Sequence, residues 1–214
     1  MKQKLVIWGA SGHALVVADI IRLMGNYEIV GFLDDMNLER HNTEFCGARI
    51  MGGKEQLDVL REEGIKYLMF GFGDCAARLN LSSFVRTKGF SLATAIHPKS
   101  IVASGVEIGS GTLVAGGAVI NPGSTIGENV IINTCSSVDH ECVIEDGCHI
   151  GPGVRLGGRV TVRQGAWIGI GAAVKDRVHI GAGSIIGTGS VVLNDIPEGV
   201  VAHGIPAKVT RRVK

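Results

Sequence analysis

What this 214-residue chain lacks removes several classes of function. No stretch reaches the roughly 18 uncharged apolar residues of a membrane helix, although 45% of the residues are hydrophobic. The charges nearly cancel, 21 Lys and Arg against 20 Asp and Glu, which leaves no electrostatic footprint for nucleic acid. Five cysteines is an odd number and none form a Cys-x-x-Cys pair, so a reducing cytoplasm is the simplest setting. The first ten residues hold two lysines and some apolar side chains but run into Gly9-Ala10-Ser11-Gly12 and Asp19. They read as a first strand and turn, not as a signal peptide.

What is present is a period of six. From Ile96 to Val192 every sixth residue is aliphatic, seventeen positions without a break. Four residues after each lies a second column, Ser100 to Ile196, of small or β-branched residues that includes Cys142 and Cys148. Six fits neither a helix nor a two-faced strand, and hexapeptide repeats are a signature of the parallel β-helix. Three hexapeptides close a triangular coil of eighteen residues, with the aliphatic side chain inward and the small one beside the next corner. Stacked at ~4.8 Å, nearly six coils form a prism on the order of 27 Å long. Gly109, Gly127, Gly151, Gly157, Gly169, Gly181 and Gly187 follow the aliphatic position; they are expected to supply the unusual dihedrals of the corners. A β-sandwich of short strands would not hold so strict a period.

The first ninety-odd residues differ. Lys4–Trp8 reads as a strand, and a Gly-rich turn leads into a helix with Leu15, Val16, Val17, Ile20, Ile21, Leu23 and Met24 at helical spacing. Glu28–Leu33 is a second strand ending in Asp34-Asp35, residues 54–63 a helix, Tyr67–Gly73 a third strand, and 76–88 another helix. Such a Rossmann-like βαβ unit binds ligands outside the carboxyl ends of its strands. The dinucleotide fingerprint is incomplete, since Ser11 and Ala14 stand where two of its three glycines belong. The turn still aims backbone N–H groups at an anion, and Asp34 and Asp35 are placed to accept hydrogen bonds from a nucleotide. The bland alternative gives Gly9 and Gly12 to packing, the aspartates to a solvated turn and His13 to a helix cap. The expected domains are 1–92, binding a nucleotide-linked ligand, and 93–214, β-helix with a carboxy-terminal tail.

One corner carries chemistry. His140 lies between the inward Val138 and Cys142, flanked by Asp139 and Glu141, and a neighbouring carboxylate suits an imidazole for proton abstraction near neutral pH. One coil later Gly157-Gly158 is expected to leave open space above it. His149 is nine residues on, half a coil, so the two rings share a site only across a subunit boundary. His41, His97, His179 and His203 read as solvated bystanders. Cys135 is the nearby thiol, without a base dedicated to it. Zinc needs about three convergent ligands; the closely spaced histidine pair of γ-class carbonic anhydrases is absent, and no metal is expected.

The columns, with Val201–Lys208, resemble the hexapeptide-repeat acyltransferases. More narrowly, Gly9–His13, Phe32–Asp35 and Asn133-Thr134 followed by Ser136–Ile144 resemble the PglD/NeuD-type bacterial sugar acetyltransferases over essentially the full length. That resemblance implies a left-handed coil, a homotrimer with sites between subunits, and acetyl-CoA as co-substrate. It makes His140 the general base and Glu141 the group raising its basicity. It turns His149 toward the acetyl thioester and places Gly158, Ile170 and Thr188 along the cofactor groove. Ser11, Gly12, His13, Asp34 and Asp35, with Gly73, hold the nucleotide sugar. The acceptor it implies is a UDP-linked 4-amino-4,6-dideoxy sugar, for surface glycan or glycoprotein synthesis. The competing readings are a sialic-acid-type O-acetyltransferase and a non-enzymatic trimeric scaffold with a ligand-sensing domain. Asp139 stands where the family often has Glu, and residues 36–53 match nothing in it.

Overall fold

The computed structural model describes residues 2–213; Met1 and Lys214, the outer bounds of the expected domains, lie outside the described residues. The chain divides into two compact units between Pro98 and Lys99.

The amino-terminal unit is a six-stranded sheet built from β1 (Gln3–Trp8), α1 (Gly12–Met24), β2 (Tyr27–Leu33), β3 (Glu44–Phe45), β4 (Ala48–Gly52), α2 (Leu57–Glu62), β5 (Tyr67–Phe70), α3 (Cys75–Thr87) and β6 (Ser91–Leu92). Its order is β3-β4-β2-β1-β5-β6, parallel except for the β3–β4 hairpin. Trp8, Leu57, Leu60, Leu68, Phe70, Val85 and Phe90 form part of one core cluster. α1 buries Ala14, Val17, Ala18, Ile20 and Ile21, while Leu15, Val16 and Leu23, expected on its apolar stripe, are exposed. Ala14 and Ala18 take the other places on the buried face, and Ala14 packs closely on the sheet: a Cβ on Gly71 would lie 2.9 Å from the Ala14 Cβ. Residues 36–53, left unplaced by the sequence, supply β3 and β4. The hairpin turns on Cys46 and Gly47, both at positive φ (48° and 72°), as a two-residue type I′ turn requires.

The second unit is the left-handed parallel β-helix. Strands pair eighteen residues apart, as Ser137 with Arg155 and His149 with Trp167. Within this unit the three faces begin with Ile101–Val102, Glu107–Ile108 and Leu113–Val114. The aliphatic column is buried from Val114 onward. The buried hydroxyls of the small column stay satisfied: Ser124 Oγ donates to Asp139 O (2.8 Å) and accepts from Cys142 N (3.1 Å). A hairpin of Val200–Gly204 and Ala207–Arg212 closes the chain. No helix among the described residues is long and apolar enough to cross a membrane.

The glycine column works differently from the expectation. Every sixth residue from 105 to 189 has positive φ, ten glycines together with Asn129, Cys135, Glu141, Arg159 and Arg177. Those corner positions lie two residues beyond Gly109, Gly151, Gly157 and their equivalents. The latter admit close stacking instead: a Cβ on Gly151 would meet Ile168 O at 2.6 Å, and one on Gly157 would meet Asp176 N at 2.7 Å. Backbone approach between coils, not dihedral freedom, keeps them glycine.

Candidate active site

The His140 corner follows the strand Ser137–Val138. Its backbone is tied from both sides: Glu141 N donates to Pro122 O (3.0 Å) one coil back, and Arg159 N donates to His140 O (2.8 Å) one coil on. Asp139 Oδ1 accepts from His140 N (2.7 Å) and from Asn121 Nδ2 (2.9 Å). Those two bonds, the first being the stronger, hold the Asp139 carboxyl below the usual carboxylate range. Asp139 therefore braces the corner.

The imidazole is half-exposed, and its Nδ1 lies 3.0 Å from Glu141 Oε2. An ionised carboxylate only accepts, so Nδ1 carries the proton and Nε2 keeps its lone pair. Arg159 approaches the same oxygen, with Nε and Nη2 each at 2.9 Å. Hydrogen bonds from Arg159 first and His140 second hold the Glu141 carboxyl below the ordinary glutamate range. The space expected above His140 is filled by the ring itself: a Cβ on Gly158 would lie 2.5 Å from His140 Nε2. A cavity of about 440 Å³ opens beside the ring, lined by Asp139, His140, Gly157, Gly158, Arg159, Val174, Lys175, Asp176 and Arg177. Arg159 was missed from sequence, although adding one coil to Glu141 points to it.

His149 lies on a different face, in the strand His149–Ile150. It is 8% exposed and stacks on Trp167 with centroids 5.5 Å apart and planes within 4°. Asn133 Oδ1 accepts from Thr134 N (2.8 Å), which turns its Nδ2 toward His149 Nε2 at 3.1 Å. His149 Nε2 is then the acceptor and Nδ1 the N–H. Ile170 and Thr188, both exposed, occupy the corner that follows this face, one coil apart. Within one chain the structure thus brings Gly158 to His140, but puts Ile170 and Thr188 on the corner after His149.

In the amino-terminal unit a cavity of about 390 Å³ opens at the carboxyl ends of the strands. Ser11, Asp34 and Asp35 line it, together with Trp8, Met36, Asn37, Phe72, Asp74 and Leu81, which sequence reasoning missed. Trp8 and Phe72 stand at or just past the ends of β1 and β5, the signal that pointed to them. Asp35 accepts from Trp8 Nε1 (2.6 Å) and Lys54 N (2.9 Å). Asp34, 6% exposed, accepts from Met36 N (2.9 Å) and Asn37 N (3.2 Å). Both aspartates thereby shape the rim. Gly12 opens α1, with nothing within 4 Å of an added Cβ. His13 sits inside; burial first and Arg78 second push it down to about 4, so the ring is neutral at pH 7. Gly73 O accepts from Arg78 Nη1 at 2.6 Å. Gly9 packs against Gly71, where a Cβ would meet the carbonyl carbon at 2.9 Å. No group of three or more metal-ligating side chains occurs among the described residues.

Residues 4–84 match the PglD N-terminal domain family, and residues 123–158 match the bacterial transferase hexapeptide repeat. Among solved structures, PerB from Caulobacter crescentus, in complex with CoA and GDP-perosamine, is 39% identical at a TM-score of 0.92, covering 97% of each chain. Two further structures of that perosamine N-acetyltransferase carry a histidine replaced by asparagine or alanine. The acetyltransferase domain of PglB from Neisseria gonorrhoeae, in complex with acetyl coenzyme A, is 33% identical at a TM-score of 0.91, covering 98% of this chain and 100% of that one. WeeI from Acinetobacter baumannii is 25% identical at 0.87, with 98% and 100% covered. Coil and repeat together define a hexapeptide-repeat acyltransferase. More narrowly, the chain belongs to the PglD/NeuD-type sugar acetyltransferases.

Proposed function

We propose that the chain transfers the acetyl group of acetyl-CoA to the amine of a nucleotide-linked 4-amino-4,6-dideoxy sugar, with His140 as general base. The observation that carries this reading is the His140 Nδ1 to Glu141 Oε2 hydrogen bond of 3.0 Å, which leaves Nε2 as the basic nitrogen. The amine attacks in its neutral form, since a protonated amine has no lone pair. Nε2 takes the proton that the nitrogen sheds as it bonds to the thioester carbon, the C–S bond of the tetrahedral adduct breaks, and the thiolate recovers that proton as CoA-SH. The adduct's oxyanion needs a donor, a role for a backbone N–H of the coil or for His149. Gly158, Ile170 and Thr188 are assigned to the CoA groove. Ser11, Gly12, His13, Asp34, Asp35 and Gly73 are assigned to the sugar nucleotide, His13 as a neutral group.

His140 and His149 stand on different faces of one coil, so a site using both forms between chains. A homotrimer of this coil meets that need, and the donor goes with a cytoplasmic setting. We read the acceptor as UDP-linked. A GDP-linked acceptor is the second reading, favoured by the GDP-perosamine bound to the 39% identical PerB. Purified protein, given acetyl-CoA and each sugar nucleotide in turn, is expected to release CoA thiol with the UDP-linked amine. Release only with the GDP-linked amine selects the second reading; release with neither, but with a sialic acid, ends both.

A further inference from the structure

We infer that Arg159 is a positioning residue for the proposed transfer, acting on His140 through Glu141. The inference rests on the general-base reading and adds a part to it. Glu141 Oε2 receives three N–H groups, from His140 Nδ1 at 3.0 Å and from Arg159 Nε and Nη2 at 2.9 Å each. A half-exposed glutamate beside a half-exposed histidine has many rotamers. The planar guanidinium, reaching down one coil, selects the one that meets the imidazole.

A second observation points to the same residue. Left-handed backbone is unfavourable by roughly 1–2 kcal/mol for a residue with a Cβ. On the corner series of residues 105, 123, 141, 159 and 177 the first two are glycines, but Glu141, Arg159 and Arg177 adopt φ of 57°, 61° and 61°. The only other non-glycine residues in the fifteen-member column are Asn129 and Cys135. Side chains are retained, against backbone preference, where they surround His140. The other charged groups lining the cavity beside the imidazole are Asp139 on its own corner and Lys175, Asp176 and Arg177 two coils above.

Arg159→Gln, Arg159→Lys, Glu141→Gln and the Glu141→Gln/Arg159→Gln double variant test this in the full chain. Arg159→Gln is expected to lower kcat by ~10- to 100-fold, the scale of a misplaced catalytic group, with both KM values changed less than about 2-fold. The pH profile of kcat/KM should move as well, because the cation that fixes Glu141 beside the imidazole is gone. Arg159→Lys should return the profile toward wild type. In the Glu141→Gln background, removing Arg159 should cost less than about 2-fold, the non-additivity of residues acting as one unit. Additive losses, an unmoved pH profile, or a raised acceptor KM with intact kcat would each overturn the inference. Failure of the general-base reading shows separately, as His140→Ala retaining full activity.

Discussion

The two units keep their functional residues in different ways. In the coil, contacts follow addition: eighteen residues on from Glu141 is Arg159, and eighteen on from His140 is Gly158, both touching what lies beneath them. In the amino-terminal unit no such rule operates. Trp8 meets Asp35 and Arg40 meets Ala10 across irregular separations, and the cavity is assembled from four separate segments. A periodic scaffold makes a site that sequence can address by register. A doubly wound sheet makes one that sequence can address only by strand ends.

The sharpest way to break that contrast is His140→Ala. Its loss should be confined to chemistry, with CoA release falling roughly 10²–10⁴-fold, the usual worth of a general base, and the thermal midpoint unchanged. An active variant would show that this corner is scaffold only.

Next come two glycines of the same coil. Gly158→Ala places a Cβ 2.5 Å from the mobile end of His140, so the ring moves and activity falls by up to ~10²-fold while the fold persists. Gly151→Ala places a Cβ 2.6 Å from the Ile168 carbonyl. Backbone must give there, and stability should fall by about 1–3 kcal/mol. Urea midpoints and initial rates on both variants separate the effects; equal stability losses would refute the distinction.

These glycines also show where the sequence stopped being readable. The period revealed the coil, the inward columns and the address of His140, because each coil meets only its neighbours. It did not reveal which glycine serves dihedral and which serves stacking, since both recur at six. The expected assignment was reversed for Gly109, Gly151 and their equivalents for that reason. In the other unit, short apolar runs gave β1, β2 and β5. The cavity wall of Leu81 and Asn37 depends on tertiary folding, and no local pattern marks it.

The amino-terminal unit should carry its own pH dependence. His13 is pushed down to about 4 from 6.5. Between those values the unfolded chain holds a proton on His13 that the folded chain does not. Stability is therefore full above about pH 6.5 and falls as pH drops toward 4, by up to roughly 3 kcal/mol from this group. His13→Gln should flatten that decline. Urea unfolding at pH 7 and pH 4.5 for both proteins measures it, and parallel declines would show that the titration lies elsewhere.

The smallest expected effect sharpens why residues 36–53 were unreadable. A type I′ hairpin announces itself by Asn-Gly or Asp-Gly, and here the first turn residue is Cys46 at φ 48°. The chain tolerates it because Arg22 ties the turn down, donating from Nη1 to Cys46 Sγ at 3.1 Å and from Nη2 to Cys46 O. Cys46→Asn relieves left-handed strain and leaves the bond to the carbonyl in place. Stability should rise by a few tenths to about 1 kcal/mol, read as a higher urea midpoint with catalysis unchanged. A loss of stability would mean that the thiol contact with Arg22, rather than the backbone bond, holds the hairpin closed.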